Sequence, residues 1–195
     1  MKIFLLVLLQ IMLITSCSKS NTDIIVQEDA PIIPFKTYII DSAAHFCNDN
    51  NFVTTSISEL KFKVKFDSSA IYTTADINNQ DDINKLYGFA DNNTQHHQYS
   101  ARFGWRWSNN ALWLFAYIYN EGMVAHKELG SIAIGKEHHC EIKITPNHYI
   151  FSVNNYKDSL PRKSITQKAE GYKLYPYFGG DETAPHKITI LIKDL

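Results

Sequence analysis

From Glu59 to Asp67 the chain reads Glu-Leu-Lys-Phe-Lys-Val-Lys-Phe-Asp, an alternation of charged and apolar residues without exception. Successive side chains of an extended strand point to opposite faces. Leu60, Phe62, Val64 and Phe66 therefore share one face, and Glu59, Lys61, Lys63, Lys65 and Asp67 the other. Such a segment suits a strand lying between a core and water, because a helical period would scatter both residue types around the axis. Similar runs occupy 99–107, 111–119, 139–145, 149–153, 171–178 and 187–193. Turn signals separate them: Asn92-Asn93, Asn109-Asn110, Asn120-Glu121-Gly122, Pro146-Asn147 and Asn154-Asn155. Asparagine tolerates the left-handed conformation that tight hairpins require. No amphipathic helix of three turns and no repeat of 20–50 residues interrupts this pattern. The expectation is an all-β antiparallel sandwich or barrel, built as one domain over 37–195.

Composition narrows the function classes. With 45% hydrophobic residues in 195, the chain carries enough apolar material for a folded core. Its formal net charge of −1 lacks the Lys/Arg surplus that phosphate contacts demand, which speaks against a nucleic-acid partner.

The first residues read as an address. Lys2 precedes an apolar run over 3–14, interrupted by Gln10, and small residues follow. The run is short for a bilayer of ~20 residues and has the order of a secretory signal. Leu13-Ile14-Thr15-Ser16-Cys17 resembles the lipobox of bacterial lipoproteins. The resemblance implies a signal peptide over 1–16, lipidation of Cys17 and a lipidated tether over 17–36. It places the chain in the bacterial cell envelope, held at the outer membrane through its N-terminal lipid, with the side left open. An ordinary cleaved signal with a chance cysteine is the alternative. Export would allow Cys47 and Cys140 to pair as a disulfide; two buried free thiols are the other reading. No C-x-x-C motif is present.

The three tryptophans all fall between Arg102 and Trp113, in a hairpin expected to turn at Asn109-Asn110. In that register Trp107, Trp105, Phe103 and Ala101 face Leu112, Leu114, Ala116 and Ile118, a core face. The opposite face sets Arg106, Gly104, Arg102 and Ser100 beside Trp113, Phe115, Tyr117 and Tyr119. Four aromatic rings beside two arginines are costly to leave bare without a ligand, and guanidinium groups are hard to bury without partners. Aromatic rings stack on the C–H faces of sugars, while Arg and Tyr direct hydrogen bonds to hydroxyls or carboxylates. Arg102, Arg106, Trp113, Phe115, Tyr117 and Tyr119 are thus the candidate platform for a polysaccharide or glycan ligand. Two other readings stay open: a covered face with structural cation–π pairs, and a surface for a protein partner.

The segment Gln98-Tyr99-Ser100-Ala101-Arg102-Phe103-Gly104-Trp105-Arg106 anchors a family resemblance. So does the ending Tyr175-Pro176-Tyr177-Phe178-Gly179-Gly180 … Ala184-Pro185-His186 with its final strand. Together they resemble lipid-anchored proteins of Bacteroidetes-type bacteria with a concanavalin A-like jelly-roll domain, over roughly 37–195. The resemblance implies two curved antiparallel sheets, the concave one often binding carbohydrate. Its members include lectin modules, laminarinase-type glycoside hydrolases and alginate-lyase-type polysaccharide lyases, so the fold alone does not select a chemistry.

Family 16 hydrolases of this fold carry their carboxylates on a Glu-x-Asp-x-x-Glu strand. Here no two acidic residues stand two apart anywhere in the chain. The lyase signature strands are unmatched as well, although Arg102, Tyr117 and His97 could supply a uronate-neutralising cation and a base. The expectation is a non-catalytic carbohydrate-binding module, with a lyase, a hydrolase or a protein-binding envelope protein as alternatives. No metal or cofactor is expected. Calcium at Asp181 and Glu182 is the one exception considered, against a plain glycine turn with solvated acids.

Overall fold

The computed structural model describes residues 33–195, a unit built of strands and short turns. The expected leader, Cys17 and most of the tether lie outside the described residues. Twelve strands build the unit: β1 (Lys36–Ile40), β2 (Thr54–Ile57), β3 (Glu59–Phe66), β4 (Asn84–Ala90), β5 (Ser100–Ser108), β6 (Ala111–Asn120), β7 (Met123–Ile132), β8 (His138–Ile144), β9 (His148–Val153), β10 (Tyr156–Pro161), β11 (Ala169–Leu174) and β12 (Ile188–Asp194). They pair antiparallel into two six-stranded sheets. One has the order β1-β12-β3-β8-β9-β10, the other β2-β11-β4-β5-β6-β7. The protein is an all-β antiparallel sandwich with the concanavalin A-like jelly-roll fold.

The alternation of β3 is realised residue by residue. Leu60, Phe62, Val64 and Phe66 are buried, and the lysines between them lie on the outer face. Ile190 and Ile192 of β12, Ile142 of β8 and Phe151 of β9 extend this apolar layer. Facing it are Phe89, Ala101, Phe103, Trp105, Leu112, Leu114, Ala116 and Ile118 of the second sheet. The layers interlock through edge-on rings, with Phe62–Phe103 at 5.5 Å and Phe103–Phe151 at 5.2 Å between centroids.

The hairpin register is the expected one throughout, from Ser108 opposite Ala111 to Ser100 opposite Tyr119. Asn109 and Asn110 hold φ of 52° and 57°, the left-handed pair a two-residue turn needs. Five strands lack a counterpart among the alternating runs: β1, β2, β4, β7 and β10. β7 and β10 are edge strands, largely exposed on both faces, so burial imposes little period on their sequences. The run over 171–178 ends as a strand at Leu174. Beyond it Pro176 has no N–H to donate, and Tyr177 bridges separately to Phe46 and Lys85.

The disulfide alternative is corrected: Cys47 and Cys140 are both buried free thiols. Cys47 bridges to Ile40 at β1, and β12 and β3 stand between β1 and the strand of Cys140. At ~4.8 Å per strand, the four spacings from the Cys47 segment through β1, β12 and β3 to β8 put the two cysteines about 19 Å apart, beyond the reach of an S–S bond. At the Gly179-Gly180 loop, the Glu182 carboxylate accepts the N–H groups of Ala75 and Asp76 and the Asn79 amide, each at 2.8 Å. Its oxygens tie that loop to the turn over Ile77–Asp81.

A buried polar unit fixes the other end of the sandwich. The Asp91 carboxylate accepts Arg162 Nε at 2.8 Å, Arg162 Nη2 at 3.1 Å and the Tyr149 hydroxyl at 2.6 Å. Ser164, Thr166 and the carbonyls of Thr166 and Lys168 take the remaining guanidinium hydrogens. Burial pushes the Asp91 carboxyl up, yet the hydrogen bonds from Arg162 and Tyr149 outweigh it and hold the pKa below its ordinary value.

Candidate functional site

The outer face of the β5–β6 hairpin divides into two halves. Near the turn it is covered. Arg106 donates to the Asp81 carbonyl at 2.7 Å, pairs with the Asp81 carboxylate at 3.6 Å and lies over the Phe115 ring at 4.9 Å. Ile83 packs on Phe115 and Tyr117, and the Trp113 indole donates to the Ser108 carbonyl at 3.0 Å. Arg106, Trp113 and Phe115 are thereby kept out of the cleft formed by the other half, because the Ile77–Asp81 turn and Ile83 lie across them.

The other half is open. Arg102, Tyr117 and Tyr119 line a cleft of about 520 Å³, within the usual size of a small-ligand site. One wall is formed by Phe46 and Tyr177, whose rings meet edge-on at 5.0 Å. Another is formed by Phe52 against Tyr172 at 5.0 Å, continuing through His96 and His97 to Tyr119. Phe46 and Phe52 are 64% and 72% exposed and mark the mouth; Arg102, at 6%, belongs to the floor.

The floor is cationic. Arg102 has no hydrogen-bond or ion-pair partner among the described residues, and its Nε is buried without one. Its nearest compensation is the Tyr117 ring, 5.4 Å from Cζ. Burial lowers its pKa from the ordinary guanidinium value, although the group stays charged. Lys85 lies 4.7 Å from the same ring and donates to the Ile83 carbonyl at 2.6 Å. Burial first, then the adjacent Arg102, pulls its ammonium down to about 8, against the attraction of Asp82. Lys173, at the cleft edge, is paired with Asp194 at 3.0 Å. No Asp or Glu lines the cleft among the described residues. Burial, Arg102 and His97 push the His96 pKa down to about 4, so its ring is neutral at physiological pH, with Nδ1 2.8 Å from the Tyr172 hydroxyl.

Lys85 owes its place to a bulge. Between the pairs Lys85–Gly104 and Gly88–Arg102, β4 carries two residues, Leu86 and Tyr87, against the single Phe103 of β5. Both Leu86 and Tyr87 turn into the core, which returns Lys85 to the outer face. Opposite Arg102, a side chain at Gly88 would collide with Ala101 and Arg102 itself, so glycine permits the close strand approach there.

Of the six platform residues expected from the hairpin, the structure brings Arg102, Tyr117 and Tyr119 to the cleft, joined by His97. The hairpin pattern did not reveal Lys85, Phe46, Phe52, His96, Tyr172 or Tyr177. Tyr177 lies in the Tyr-Pro-Tyr-Phe-Gly-Gly segment, whose glycines are the usable signal; Lys85 has none, because the bulge is a pairing property.

No protein-family model matches the chain, and no curated protein sequence does. Solved structures do. A family 16 endo-glucanase from Bacteroides ovatus, determined with a bound oligosaccharide derivative, aligns with 12% identity and a TM-score of 0.52, covering 84% of this chain and 81% of that one. The alginate lyase AlyC3 aligns with 10% identity and a TM-score of 0.52, covering 81% of this chain and 72% of its own. What this chain shares with both is the two-sheet jelly-roll fold.

Proposed function

We propose that the open cleft on the β4–β6 and β11 surface binds a carbohydrate chain without cleaving it. The observation that carries this reading is the cleft itself, an aromatic-walled site of about 520 Å³ with polar groups on its floor. Rings at Phe46, Phe52, Tyr119, Tyr172 and Tyr177 offer flat apolar faces to sugar rings, and tyrosine hydroxyls and Arg102 offer directed hydrogen bonds. The endo-glucanase and the alginate lyase of the same fold act on glycans, which agrees with this use of the sandwich. Hydrolysis by a carboxylate pair has no support among the cleft-lining residues, none of which is acidic.

A second reading, elimination by a polysaccharide lyase, is favoured by one contact: His97 lies 5.3 Å from Tyr119, ring to ring, in the same cleft as Tyr117 and Arg102. Product release from neutral and uronate polysaccharides, measured beside binding to the same panel, separates the two. Retention without products supports the binding module, and products establish the lyase. Loss of retention in Tyr119→Ala and Tyr172→Ala locates it in the cleft.

The leader and Cys17 support presentation from a lipid anchor in the cell envelope. Cys17→Ser is expected to move the protein from the membrane fraction to the soluble one; unchanged membrane association would sink that part of the reading.

A further inference from the structure

We propose that the cleft selects an acidic glycan, with the carboxylate or sulfate of one sugar unit seated on Arg102 and Lys85. The proposal rests on the carbohydrate reading and narrows it to a ligand class. Buried guanidinium groups in folded chains are paired, because an unpartnered charge forfeits its hydration with no return. Arg102 breaks that rule at the floor of an open cleft. Lys85 stands diagonal to it across the β4–β5 pairing, on the same face, a spacing of about 7–8 Å between backbone positions that long side chains readily close. Two separate backbone features put Lys85 there: the Leu86–Tyr87 bulge, and Gly179, where any side chain would fall on Nζ.

A neutral sugar would leave Arg102 with no anionic partner and Lys85 with only the pull of Asp82, since none of the cleft-lining residues is acidic. A carboxylate or sulfate supplies two coplanar oxygens to the guanidinium fork and a negative charge to the ammonium. The exposed rings of Phe46 and Phe52 stand at the mouth and Arg102 at the floor. A sugar ring can therefore lie against the aromatics while its acidic substituent reaches downward.

The test is calorimetric titration of the full chain in detergent with equal-length oligomers of a polyuronate, a sulfated galactan and a neutral β-glucan. At least tenfold preference for an acidic oligomer over the neutral one is expected, and the acid preferred names the group. Arg102→Gln should weaken acidic binding about 10- to 100-fold, the scale of a lost charged hydrogen bond. Lys85→Gln should weaken it less, and Lys61→Gln on the opposite sheet should leave it unchanged. If Arg102→Gln fails to fold, Lys85→Gln carries the same comparison. Equal affinity for neutral and acidic oligomers, or full acidic affinity in the cleft variants, overturns the proposal and leaves the carbohydrate reading standing. Absence of binding to all three oligomers overturns both.

Discussion

Two arginines with nearly equal exposure, Arg162 at 4% and Arg102 at 6%, occupy opposite circumstances in this sandwich. Arg162 spends its donors on Asp91, Ser164, Thr166 and two carbonyls. Arg102 has a tyrosine ring and no acceptor. Burial lowers the pKa of both, but the Asp91 hydrogen bond and charge carry Arg162 above its ordinary value while Arg102 stays below. A buried charge answered from within the chain holds the chain together; one left unanswered beside an open cleft is a place for something else to bind. Neither local sequence, Pro161-Arg162-Lys163 or Ala101-Arg102-Phe103, reveals this difference, because neither sets an acidic residue beside its arginine.

The contrast can be broken by substitution. Arg162→Met should lose ~3–5 kcal/mol of folding free energy, because Asp91 would remain buried without its partner. Denaturant unfolding measures this, and a loss under 1 kcal/mol would mean that Asp91 finds another donor. Arg102→Met should do the reverse in the ligand-free protein, gaining ~1–3 kcal/mol as an unpaired buried cation becomes an apolar side chain. A destabilised Arg102→Met would reveal an acceptor that the ligand-free cleft does not display.

Lys85 sharpens the comparison through pH. Its folded pKa of about 8 lies below the ordinary 10.5, so between those values the unfolded chain binds the additional proton. Its contribution to stability therefore rises with pH across that window. The stability advantage expected for Lys85→Met over the parent should shrink between pH 7 and pH 10. Affinity for an acidic oligomer should fall over the same range as the ammonium deprotonates. Burial sets this titration first, then Arg102 of β5 and Asp82 just before β4, with the Tyr117 ring of β6 4.7 Å from the ammonium. A flat difference curve would show that the ammonium is not strained by burial. The smallest effect is expected at the mouth. Phe52→Ala should change stability by less than about 0.5 kcal/mol, given its exposure, while weakening glycan binding by roughly 1 kcal/mol.

Much of this fold is written locally. The strict alternation of 59–66 and the asparagine pair at 109–110 each specify strand face and register from neighbouring residues alone, and the hairpin pairs as that reading requires. The division of its outer face is not local. Asp81 lies 25 residues before Arg106 and Ile83 lies 32 before Phe115, and they cover those two side chains while leaving Arg102 bare. The separation of the two cysteines likewise follows from strand order, which places β12 and β3 between them.

Local periodicity, then, determined by itself which residues stand on which side of each regular strand, because the pleat repeats every two residues and water rewards one arrangement only. The tertiary structure alone decided which of the outward-facing groups would find partners. A hydrogen bond is made between atoms that the chain brings together from a distance, and Arg102 and Lys85 acquire their meaning from a bulge, a covering turn and an absent carboxylate.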